Sequence, residues 1–98
     1  MSLPVDFRGE ARDELRDGYD WYEGRRAGAG ATFLAAVQAA LDHIAAFPQS
    51  GRVMLDDIRR VLVLKYPYVI FYREVGGRIL VISVFHTSRD PAIWQGRR

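Results

Sequence analysis

Arg59, Arg60, Lys65, Arg73, Arg78, His86 and Arg89 crowd the second half of this chain, with Tyr66, Tyr68 and Tyr72 interleaved. Side chains of these types can cleave RNA without a metal. A base takes the 2′-hydroxyl proton, an acid protonates the leaving oxygen, and cations stabilise the pentavalent phosphate. Arginine holds its proton at neutral pH, so the transfers would fall to His86, Lys65 or a tyrosine. The same residues also suit a basic, aromatic surface that meets an acidic partner.

Other chemistries find less support. There is no cysteine, which removes disulfides, thiolate metal sites and a thiol nucleophile, and points to a cytoplasmic protein. His43 and His86 are the only histidines, and neither has a carboxylate at ligand-like spacing, so no metal and no cofactor is expected. His43, beside the apolar stripe of a helix, reads as a surface or boundary residue. No Gly-x-Ser-x-Gly elbow surrounds Ser50, Ser83 or Ser88. The glycines from Gly24 to Gly30 follow a helix and lack the Gly-Lys-Ser/Thr of a phosphate loop, so they read as a turn.

The 98 residues, 49% hydrophobic, suffice for a single domain spanning 1–98. The net charge is only +2, but it is unevenly spread. The first fifty residues hold five arginines against eight acids, and the remainder nine basic residues against four acids. No apolar run approaches the roughly 18 residues of a membrane span, and the N-terminus lacks the build of a signal peptide, so no membrane contact is expected.

The elements that must position these residues follow from periodicity. Leu3 to Phe7 alternate as an edge strand, where Pro4 is tolerated. Ala11, Leu15, Tyr19 and Tyr22 recur at helical spacing from Gly9 to about Arg26, with Trp21 beside them. Phe33, Val37, Ala40, Leu41 and Ile44 mark a second helix that stops at Phe47-Pro48. Strand periodicity then begins at Ile58 and runs to Tyr66, turns at Pro67, and resumes from Tyr68 to Arg73. Gly76-Gly77 signals a tight hairpin into a last strand from Arg78 to about His86. Asp90 and Pro91 open one short helical turn containing Trp94. The expected fold is α+β: an N-terminal edge strand, then a two-helix hairpin packed on an antiparallel sheet of three to four strands, then a C-terminal helical turn.

Strict alternation on the last strand puts Leu80, Ile82, Val84 and His86 on one face, and Ile79, Val81, Ser83 and Phe85 on the other. Both faces are apolar. His86 then reads as the polar end of a buried strand, hydrogen-bonded through its ring.

Trp21-Tyr22-Glu23, Phe33-Leu34, Phe47-Pro48-x-x-Gly51, Ile58-Arg59-Arg60, Pro67-Tyr68-x-Ile70-x-Tyr72 and His86-x-x-Arg89-x-Pro91-x-x-Trp94 follow one another in order. Together they resemble the RelE/ParE superfamily of type II toxins, over Val5 to Trp94. The resemblance implies a plasmid-stabilisation-type toxin neutralised by a cognate antitoxin whose C-terminal segment wraps over it, forming a hetero-oligomer. The Trp-Tyr-Glu helix and the His-x-x-Arg-x-Pro-x-x-Trp ending look more like the ParE branch, which implies inhibition of DNA gyrase without catalysis. The RelE branch implies instead a ribosome-dependent endoribonuclease acting on mRNA, here through Arg59, Lys65, Arg73, His86 and Arg89. Leu62 to Leu64 interrupt the basic cluster typical of that branch, and no tyrosine follows His86. A non-toxic antitoxin-binding relic is the third expectation. Arg59, Arg60, Lys65, Tyr68, Arg73 and Arg89 are the residues expected to meet antitoxin or target. Trp21, Tyr22, Pro67, Tyr72, His86, Pro91 and Trp94 are expected to be structural.

Overall fold

The computed structural model describes residues 2–97. The chain runs β1 (Val5–Phe7), α1 (Gly9–Arg25), α2 (Ala29–Ala46), β2 (Arg52–Leu55), β3 (Ile58–Leu62), β4 (Tyr68–Val75), β5 (Arg78–His86) and α3 (Ala92–Gln95). One sheet holds the strands in the order β1-β5-β4-β3-β2. The α+β layout is the expected one, but the sheet is larger and differently paired.

Five strands form it, not three to four, because the short β2 pairs antiparallel with β3. Arg52 to Leu55 carry no clean alternation, and a register irregularity between Val53 and Leu55 blurs what there is. Asp56 turns the chain with φ 53, a left-handed conformation that aspartate tolerates. The sheet is also mixed: β1 lies parallel to β5, Val5 against Ile79 and Phe7 against Val81. Nothing local in Leu3 to Phe7 encodes a partner more than seventy residues away. At the other end β3 stops at Leu62, short of the expected Tyr66, since Val63 to Tyr66 form a turn in which Lys65 takes φ 70. Gly76 and Gly77, at φ 58 and 74, make the hairpin that joins β4 to β5 with Val75 opposite Arg78.

The alternation along β5 slips once. Phe71 faces Ser83 but Tyr72 faces Val81, so Ile82 is an extra residue in the ladder. Ile79, Val81 and Val84 therefore share one core cluster with Phe33, Val37, Ile44, Ile70 and Tyr72 under the helices. Ile82 and Phe85 join Ile58, Val69, Phe71 and Trp94 on the opposite face, where α3 lies. Grouping Val84 with Leu80 and Ile82 was wrong by this one residue.

Helix α2 is long and apolar enough, by length and composition, to cross a membrane. Here one stripe of it, Phe33, Val37, Ala40, Leu41 and Ile44, is buried in the core under the helices. Its start is held by α1: both oxygens of Glu23 accept the Gly28 N–H at 3.0–3.1 Å, and Oε1 accepts the Gly30 N–H at 2.9 Å. These bonds hold the Glu23 carboxyl below its ordinary pKa, and the Arg78 guanidinium does the same for Asp6. A depressed carboxyl stabilises the fold above its unfolded-state pKa, and that contribution is lost as pH falls through the folded-state value. Thermal stability should thus decline as pH drops below about 4, and Glu23→Gln should flatten that decline when melting is followed against pH.

Tyr72 ties the α2–β2 turn to the sheet. Its ring is fully buried, its hydroxyl donates to the Pro48 carbonyl at 2.8 Å, and it accepts the Gly51 N–H at 3.1 Å. Gly51 lies so close that a Cβ there would come within 2.4 Å of that hydroxyl. Burial pushes the phenol pKa up, so the group stays neutral. Tyr72→Phe is expected to cost about 1–3 kcal/mol, since it strands a buried N–H and a half-buried carbonyl. Chemical denaturation measures the loss.

Candidate functional site

The residues proposed for RNA cleavage are dispersed. Arg59 stands opposite Tyr72, on the side of the sheet that faces the helices. Its Nη1 donates to the carbonyls of Gln49 and Gly51 at 3.0 and 2.8 Å, so it braces the α2–β2 turn and is not a free surface charge. Arg73 donates through Nε and Nη2 to Asp57 at 3.2 and 2.9 Å. Lys65 sits exposed in the β3–β4 turn. Only His86 and Arg89 share a cleft, lined also by Asp17, Trp21 and Tyr68 between α1 and the end of β5.

In that cleft the His86 Nδ1 accepts the Ser88 backbone N–H at 3.1 Å and lies 2.8 Å from the Ser88 hydroxyl. A backbone N–H can only donate, so the neutral ring carries its proton on Nε2. The ring meets Tyr68 edge-on at 5.0 Å and is half-buried. Tyr68, expected on a binding surface, is 9% exposed and packs against Phe33 and Tyr22. Burial raises its pKa, helped by Tyr22 and Asp17, with Arg89 opposing. Tyr22 is part of the same cluster, and Trp21, expected to be structural, meets the Tyr22 ring edge-on at 4.9 Å. Trp21 is 54% exposed, and the Arg25 guanidinium lies 4.3 Å from its ring centroid. Pro67 and Pro91 are exposed at turns, whereas Trp94 is buried.

One group escaped the sequence reading. Glu14 is 8% exposed on the inner stripe of α1, between Ala11 and Gly18. Because β1 is only three residues long, the edge of β5 beyond Val81 has no strand beside it. The Arg8 N–H takes the Val81 carbonyl, the Arg97 guanidinium takes the Ile82 carbonyl, and Glu14 accepts the Val84 N–H at 3.2 Å and the Ser83 hydroxyl at 2.9 Å. Arg97 and Arg89 complete the site, at 2.8 and 3.1 Å from its two oxygens. A carboxylate at an i+3 position on an apolar helical stripe is the signal that could have found it.

A second surface is apolar. A groove of about 760 Å³ runs between the outer flank of α2, at Ala36, Ala39 and His43, and the end of β3 with its turn, at Leu62, Leu64 and Tyr66. Leu62 and Leu64 are 56% and 78% exposed, and Lys65 stands at the rim. An apolar strip of this kind, edged by a cation, suits the apolar face of an amphipathic segment.

A helical hairpin packed on a mixed sheet, with an apolar groove open on one flank, defines an α+β domain. The profile of the ParE toxin of type II toxin-antitoxin systems, parDE, matches residues 5–91, and the chain belongs to that family. Among solved structures it is similar to a chain of the chromosomal ParDE TA system from P. aeruginosa, at 19% identity and a TM-score of 0.63, over 87% of this chain and 96% of that one. At that identity the likeness is one of fold. No curated protein sequence is significantly similar to this chain.

Proposed function

We propose that this chain acts in the cytoplasm as the toxin of a type II pair, inhibiting DNA gyrase by binding rather than by catalysis. A cognate antitoxin silences it by laying an amphipathic segment into the groove between α2 and the β3–β4 turn. The observation that carries this reading is the exposed apolar strip of Leu62 and Leu64 in a family of antitoxin-regulated toxins. The dispersal of Arg59, Lys65 and Arg73 away from the His86–Arg89 cleft supports binding over messenger cleavage.

Tightly controlled expression tests the target, with supercoiling, DNA replication and translation followed separately. The expected outcome is a DNA-damage response and loss of supercoiling while messages stay intact. Early translation arrest with cut messages would sink the gyrase reading and favour a ribosome-dependent nuclease. Unimpaired growth would leave only the antitoxin-binding relic.

A further inference from the structure

The cations of the sheet are satisfied within the chain, with one exception. Arg78 pairs with Asp6, Arg73 with Asp57, and Arg59 with two carbonyls. Arg52 and Arg60 instead stand directly opposite one another across β2 and β3, and neither has an acidic partner among the described residues. Like charges in that position repel, so the pair costs stability. Arg60 faces Phe71 across β3 and β4, which puts both guanidinium groups on the α3 side of the sheet, next to the Phe71 ring on which Trp94 stacks. β2 is the edge strand, and its outer row of backbone groups has no strand beside it.

We infer that the Arg52–Arg60 pair and the free edge of β2 form a docking site for an extended acidic segment of a partner protein, which adds as a further strand and sets its carboxylates against the two arginines. Strand addition supplies main-chain hydrogen bonds, and the arginines supply specificity through charge-assisted bonds. The surroundings favour a peptide over a nucleic acid. Val53 and Met54 expose 52% and 39% of their surface along this edge. An unneutralised arginine pair that weakens the free protein is the signature of a surface shaped for something else.

The test uses the full chain, isotope-labelled for NMR, titrated with an extended peptide alternating threonine and glutamate, with its glutamine counterpart, and with a short DNA duplex. The glutamate peptide should shift the amides of residues 52–62. The glutamine peptide, or Arg60→Gln, should weaken binding about tenfold, the factor for one charge-assisted hydrogen bond at the weak end of its range. Arg52→Glu should lose the peptide while melting no lower than the parent, since it replaces a repulsive cross-strand pair with an attractive one. Absence of shifts at residues 52–62, or peptide binding unchanged in a folded Arg52→Glu protein, would overturn the site. Tighter binding of the duplex through the same arginines would overturn the acidic-peptide assignment in favour of phosphate.

Discussion

Glu14→Ala is expected to lower the free energy of unfolding by about 3–5 kcal/mol. In a domain of this size, that moves the melting midpoint down by at least about 12 °C. The reason lies in what the carboxylate leaves behind. The Val84 N–H and the Ser83 hydroxyl lose their acceptor in a buried setting, and Arg97, whose side chain is 13% exposed, keeps only the Ile82 carbonyl. A buried cation deprived of its counter-charge costs far more than the pair itself contributed. Glu14→Gln keeps the volume and one acceptor oxygen, so it should fall between alanine and the parent. Arg89→Ala is the control: that side chain is 45% exposed, and its pair with Glu14 should be worth under about 1 kcal/mol. Circular dichroism melts of the three variants give the order. A Glu14→Ala protein that melts with the parent would mean that the β5 edge is held by something else.

The contrast between Glu14 and the elements around it shows what a sequence of this kind discloses. Helix α2 and the Gly76-Gly77 hairpin were legible because their signals are local: an apolar stripe at helical spacing, and paired glycines between strands. The parallel pairing of β1 with β5 was not, because it depends on contacts at large sequence separation. The extra residue at Ile82 was hidden for a related reason. An unbroken apolar run from Ile79 to Ile82 carries no mark of which face each residue takes, so strict alternation was the natural reading, and the bulge reversed it for Val84 and His86. Arg59 likewise looked like a surface charge until the turn at Gln49 to Gly51 came to lie beneath it. The basic residues were thus legible as a group, while their division between bracing, pairing and facing outward depended on the fold.

That division also bears on activity. A metal-free nuclease needs its base, acid and cations within hydrogen-bond reach of one phosphate. Arg59 is committed to a turn, Arg73 to Asp57 and Arg89 to Glu14, so each would have to give up an existing partner before it could serve a phosphate. A binding surface asks for no such convergence. The groove beside α2 and the edge of β2 are open as they stand.

The C-terminal turn is where chemistry and architecture were hardest to separate, and Trp94 decides between them. Its ring stacks on Phe71 with centroids 3.9 Å apart and planes 15° from parallel, and it is 4% exposed. Asp90 fixes the approach by accepting the Ala92 N–H at 3.0 Å, which starts the single turn of α3 and brings the ring back over the sheet. Beneath it, Ile58, Val69, Ile82 and Phe85 form the second core cluster, and α3 is the element that covers it. Trp94→Ala should therefore cost about 3–5 kcal/mol, and it should also uncover an apolar patch on the sheet. Trp94→Phe retains the stacking and much of the buried area, so it should recover more than half of the loss. Urea denaturation measures the first effect, and binding of a hydrophobic dye under native conditions measures the second. If Trp94→Ala kept both parental stability and low dye binding, the turn would be an ornament on a sheet face already closed without it. The stacking on Phe71 argues against that outcome, because the Trp94 ring, with Ile93 also packed against the cluster, lies directly on one of its central rings.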